Sequence, residues 1–113
     1  MQFYNSNNPK TLTLTRRNSS PYLKPDMILP DNCHTISSET FFKRSIIRSV
    51  IFPYEMQQIG AKAFQGCSRL NSLEFPGNLQ KIGIVAFSDC PSLEQVQIPA
   101  GLTTIPQNAF RNG

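Results

Sequence analysis

A proline recurs every 23 residues, at Pro30, Pro53, Pro76 and Pro99, and the apolar residues around it keep the same step. Ile36, Ile59, Ile82 and Ile105 form one column, and Phe41, Phe64, Phe87 and Phe110 another. Met27, Val50, Leu73 and Val96 align, as do Leu29, Phe52, Phe75 and Ile98, and Cys33, Met56, Leu79 and Leu102. Ile47, Leu70 and Leu93 share a position, and Thr40, Ala63, Ala86 and Ala109 each precede a phenylalanine. A period of this length is the signature of a repeat architecture, in which one supersecondary unit is copied and stacked.

One unit can be read physically from Leu70 to Cys90. Leu73 and Phe75 stand two apart, so they point to one side of a short strand. Pro76 then ends the pairing, because it has no backbone donor. Leu79 and Ile82 are expected to turn inward, with Gly83, and Gly60 one unit earlier, permitting a tight bend. Phe87 and Cys90 are an i, i+3 pair, the spacing of one helical face. The segment Ile84–Cys90 is too short to hold a helix alone, so the spacing predicts a single α or 3₁₀ turn kept by packing. A lone unit cannot enclose its apolar side, but stacked units cover one another. The expected architecture is therefore an α/β repeat solenoid, with a parallel β-sheet along one face and short helical turns on the other. Three full units start near Met27, Val50 and Leu73, and a truncated fourth starts at Val96, giving a repeat domain over 27–113.

The pattern L-x-x-L-x-F-P-x-x-L-x-x-I-G-x-x-A-F-x-x-C at Leu70–Cys90 closely resembles the BspA-like, Treponema pallidum-type leucine-rich repeats. The first unit departs from it: Ser37 replaces glycine, Thr40 replaces alanine and Arg44 stands where later units have Cys67 and Cys90. The last unit reaches Gly113 where the pattern expects cysteine. The resemblance implies a protein-interaction module, and bacterial and protozoan members include surface proteins implicated in adhesion to host matrix proteins.

Residues 1–26 stand outside the register, since Tyr4 and Ser6 fall where two apolar residues are due. They are expected to form an irregular N-terminal cap or arm, in which the alternation of Thr11–Thr15 suits a strand or hairpin arm. The last strand, Glu94 to Ile98, would leave an open edge, which invites pairing. Self-association through that uncapped unit is one expectation, and a chain cut from a longer one is another.

The net charge of +4 lies in the N-terminal half, because residues 51–113 carry four charges of each sign. No signal peptide is visible at the N-terminus, and no apolar run has the length of a membrane span. Three cysteines form an odd set without a C-x-x-C pair, the usage of reduced thiols. That favours an intracellular setting, whereas the resemblance allows the cell surface.

No constellation carries chemistry. A metal site needs about four clustered ligands, and three cysteines with one histidine offer no such spacing. Cys33 and His34 are adjacent, but a nucleophile needs a base facing it and a third group orienting that base. Cys33 belongs to an inward column, with His34 on a surface turn. The chain is read as no enzyme, with no cofactor and no small-molecule substrate. Arg16-Arg17-Asn18-Ser19 matches a basophilic kinase site, and Asn18-Ser19-Ser20 a glycosylation sequon. The basic residues Arg16, Arg17, Lys43, Arg44 and Arg48 could meet an anionic surface or nucleic acid, but interleaved aromatics are missing and a solvated face is the better reading.

The strand face is where a protein partner is expected. Its outward residues form two stripes, Asp26, Ser49, Ser72 and Gln95, and Ile28, Ile51, Glu74 and Gln97. Ile28 and Ile51 would expose apolar surface among polar neighbours, which marks either a contact surface or a patch covered by the N-terminal arm. The leading function is a protein–protein interaction module. The alternatives are an intracellular scaffold or regulatory protein and, less favoured, a binder of anionic surfaces or nucleic acid.

Overall fold

A computed structural model describes residues 11–94, 96–102 and 104–112; Tyr4, Ser6, Gln95 and Gly113 lie outside them. Among the described residues there are seven short strands: β1 (Leu12–Leu14), β2 (Asp26–Ile28), β3 (Cys33–Ile36), β4 (Ser49–Ile51), β5 (Gln58–Ile59), β6 (Ser72–Glu74) and β7 (Lys81–Ile82). They form two parallel sheets, ordered β2-β4-β6 and β1-β3-β5-β7. The first is the expected strand face, paired with the 23-residue step intact: Met27 opposite Val50, and Val50 opposite Leu73.

The second sheet replaces what the sequence suggested was a plain turn. Its strands pair Ile36 with Ile59 and Ile59 with Ile82, which points these side chains into the core. His34 accordingly sits half-buried within β3 rather than on a surface turn. Pro30, Pro53 and Pro76 each separate the two sheets, and each carbonyl accepts from the amide three residues on: Cys33 to Pro30 at 3.0 Å, Met56 to Pro53 at 3.1 Å and Leu79 to Pro76 at 3.2 Å. β1 joins this sheet parallel to β3, with Leu14 opposite Ile36 and fully buried, so Thr11–Thr15 contributes a parallel strand and no hairpin.

The helical face is not formed. Among the described residues the only helical element is a 3₁₀ turn at Ser20–Tyr22. The segment opposite the strand face is a run of tight turns instead. Ala63 donates to Gly60, Gln65 to Lys62 and Cys67 to Phe64, each three residues back. The amides between them leave the coil: Lys62 donates to Ile84, Phe64 to Ala86 and Gly66 to Ser88, at 3.1, 2.8 and 2.9 Å. Half of the amides thus bind the next coil, and an α-helix, which needs every amide for its own turn, cannot form. The turns require left-handed backbone at Lys62 (φ 61°), Gly66 (φ 78°), Val85 (φ 50°) and Asp89 (φ 59°). For a β-branched residue such as Val85 that conformation is strained.

The core is a stack of columns. Phe41, Phe64, Phe87 and Phe110 form a ladder with ring centroids 5.2, 5.1 and 5.4 Å apart. A second ladder, Phe52 on Phe75 at 5.8 Å, meets the first edge-on, Phe52 on Phe64 and Phe75 on Phe87. Gly60 and Gly83 have a different role from the bend expected of them: neither has a positive φ. A Cβ on Gly83 would lie 2.6 Å from the Ala61 Cα, so the column is glycine because adjacent coils touch there backbone to backbone. Two inward columns fail in the fourth unit: Leu102 and Ala109 stay buried, but Ile105 is 43% exposed and Ile98 39% exposed. Of the expected last strand, Glu94 and Val96–Ile98 lie in no strand, and Gln95 is outside the described residues.

Candidate protein-interaction surface

The three-stranded sheet is built for two-sidedness. In β2, β4 and β6 the central residue, Met27, Val50 or Leu73, is buried, and the strand pairing brings its neighbours into rows. One row is Asp26, Ser49 and Ser72; the other is Ile28, Ile51 and Glu74. Ser49 is half-buried and the remaining five are exposed. Gln97, also exposed, lines a shallow hollow of about 260 Å³ with Leu73, Glu74 and Phe75. Gln95 lies outside the described residues.

Ile28 is 69% and Ile51 52% exposed, side by side on adjacent strands. A scattered exposed isoleucine means little, but two in register form a patch that water solvates poorly. The charges around it are unequal. Asp26 accepts from Ser49 Oγ and from Arg48 Nη2, each at 2.8 Å. Those hydrogen bonds, Ser49 first and Arg48 next, hold its carboxyl below the ordinary carboxylate range. Glu74 has no ion pair among the described residues, so its carboxylate stands free beside Ile51. The pairing of Asp26 with Arg48 escaped the sequence reading; the available signal was that Asp26 and Ser49 share a column, which brings Arg48 alongside.

The remaining candidates are occupied within the fold. Arg16 Nη1 donates to the carbonyls of Phe42 at 2.8 Å and Glu39 at 3.1 Å, and Arg48 is paired, so two charges of the basic cluster are engaged. Ser19 is buried, with its hydroxyl toward the Arg16 carbonyl at 3.4 Å. The Asn18 amide closes the same turn, accepting from the Thr15 amide and donating to the Thr13 carbonyl.

Cys33, Cys67 and Cys90 are free, buried thiols. Cys67 donates to the Phe41 carbonyl and Cys90 to the Phe64 carbonyl, each at 3.2 Å, so the cysteine column also ties coil to coil. Burial pushes Cys67 up to about 12, and Cys33 and Cys90 to about 11. A thiol so disfavoured as thiolate is a poor nucleophile. Among the described residues no group of three or more His, Cys, Asp or Glu side chains could hold a metal ion. No described helix is long and apolar enough to cross a membrane.

Comparison with known proteins agrees with this geometry. Residues 22–113 match the BspA-type leucine-rich repeat region, in six copies. No curated protein matches the chain. The fold is similar to that of a solved leucine-rich repeat protein of T. pallidum, at 24% identity and a TM-score of 0.63. The match covers 78% of this chain and 54% of that one, so the chain spans about half the length of its structural relative.

Proposed function

We propose that this chain, which belongs to the BspA-type leucine-rich repeat family, binds a protein partner across its three-stranded sheet. Leucine-rich repeat families are generally protein-interaction modules, and the fold is typically non-enzymatic. The observation that carries the proposal for this face is the exposed pair Ile28 and Ile51, in register with the free carboxylate of Glu74. A rigid solenoid presents such side chains with little entropy left to lose on binding. Adhesion to an extracellular protein is the family-level version of this reading, and an intracellular scaffold is the alternative; both use the same face. A nucleic-acid role has less support, because Arg16 and Arg48 are already engaged within the fold.

Site-directed photocrosslinking tests the choice of face. A benzophenone side chain at Ser72, on the three-stranded sheet, should capture a partner that the same group at Lys81, on the other sheet, does not. Capture from Lys81 alone would move the surface to the opposite side.

A further inference from the structure

The spacing of the exposed row limits what can lie across it. Ile28, Ile51 and Glu74 occupy successive strands of one parallel sheet, so their Cα atoms step by about 4.8 Å along the stack and span about 10 Å in all. A partner that lies along the stack axis and engages all three must repeat its contacts at that pitch. In an extended chain, side chains on one face recur every ~6.8 Å, and the third contact falls ~13.6 Å from the first, a mismatch of about 4 Å. On an α-helix, residues i, i+4 and i+7 share a face and rise about 6 and 10.5 Å, within about 1 Å of the row.

Charge sets the direction. Asp26 is neutralised by Arg48, so the Asp26 end of the face attracts no cation strongly, whereas Glu74 is unpaired among the described residues. A basic side chain is therefore favoured over Glu74 alone, and apolar side chains over the two isoleucines.

Resting on the sheet-face reading above, we infer that the partner presents an amphipathic helix along the stack axis, with apolar residues at i and i+4 over Ile28 and Ile51 and a Lys or Arg at i+7 over Glu74. The nearly parallel arrangement of helix and stack axis buries the apolar pair while leaving the helix backbone satisfied internally, so the sheet needs to supply no backbone hydrogen bonds.

The probes are two displayed peptide libraries, one held helical by a side-chain staple and one linear and proline-interspersed. Both are selected on the intact chain and counter-selected on the Ile28→Ser/Ile51→Ser variant, whose melting curve is recorded beside the wild type. The expected result is stapled clones enriched in the apolar-x-x-x-apolar-x-x-Lys/Arg pattern, weakened about tenfold by Ile51→Ser, as burial of one such side chain implies. Glu74→Lys should weaken them similarly and be rescued by clones with Glu at i+7. Face-dependent clones drawn from the linear library, with every second residue apolar, would overturn the helix while leaving the sheet-face reading intact. Finding no face-dependent clone in either library would overturn both.

Discussion

Arg16 Nη1 lies 2.8 Å from the Phe42 carbonyl, at the position where an earlier coil would place a backbone amide. Later in the stack the equivalent carbonyl, Gln65, accepts from the Lys43 amide, also at 2.8 Å. A side chain 26 residues upstream thus takes the place of that backbone amide. The same guanidinium nitrogen reaches the Glu39 carbonyl, which fixes the first run of turns.

Arg16→Ala should therefore destabilise the N-terminal coil first. The two bonds are charge-assisted but solvent-accessible, so the loss is about 1 kcal/mol rather than the full value of a buried pair. Hydrogen exchange at Thr40, Phe42 and Arg44 should accelerate while that at Phe64 and Phe87 is unchanged. Equal acceleration throughout would show that Arg16 caps nothing in particular.

Phe87 sits between Phe64 and Phe110 in the ring ladder and meets Phe75 edge-on. Phe87→Ala removes three ring contacts at once and should cost about 3–5 kcal/mol, a large part of a small domain's stability. A denaturation midpoint equal to that of the wild type would contradict the stacked core.

Gly83→Ala tests why the glycine column exists. A Cβ there runs into the Ala61 backbone, which belongs to a rigid coil and cannot give way as a flexible side chain would. Overpacking of this kind costs about 1–3 kcal/mol. If the glycine served only a bend, with no positive φ to satisfy, alanine would be neutral in a melting experiment.

Alkaline pH should weaken the fold in a defined window. The three buried thiols keep their protons up to about 11 or 12, against 9.0 for a free thiol, because burial disfavours the thiolate. Between those values the folded state holds more protons than the unfolded one, so stability falls as pH rises. It should be complete below about pH 9 and decline progressively toward pH 11–12, as read by denaturant titration across that range. A Cys67→Ala variant should show a shallower decline, and an equal slope would mean that other groups govern it.

Much of the fold was legible because the 23-residue step survives stacking: the buried columns of Met27, Phe41 and Ile47 follow from it directly. Leu14 was not legible. It pairs with Ile36, 22 residues on, after an irregularity between Leu12 and Thr13, and a one-residue slip removes it from every column. The second sheet was hidden because β5 and β7 are two residues long, too short for alternation to show. The helical misreading has a cause too: Phe87 and Cys90 face one side in a helix and in a run of tight turns alike. The left-handed positions Glu39, Lys62 and Val85 carry ordinary side chains and so give no warning. The rows of the candidate surface followed from alternation, whereas the neutralisation of Asp26 by Arg48 needed the strand register.

The most direct measurement pairs stability with binding in one variant, Ile51→Ser, using the partner captured by crosslinking at Ser72. Ile51 is 52% exposed and supports no buried column, so the melting temperature should stay within about a degree or two of the wild type, the range of a surface substitution. Affinity by titration calorimetry should fall about tenfold. An unchanged affinity with an unchanged fold would contradict recognition through the three-stranded sheet.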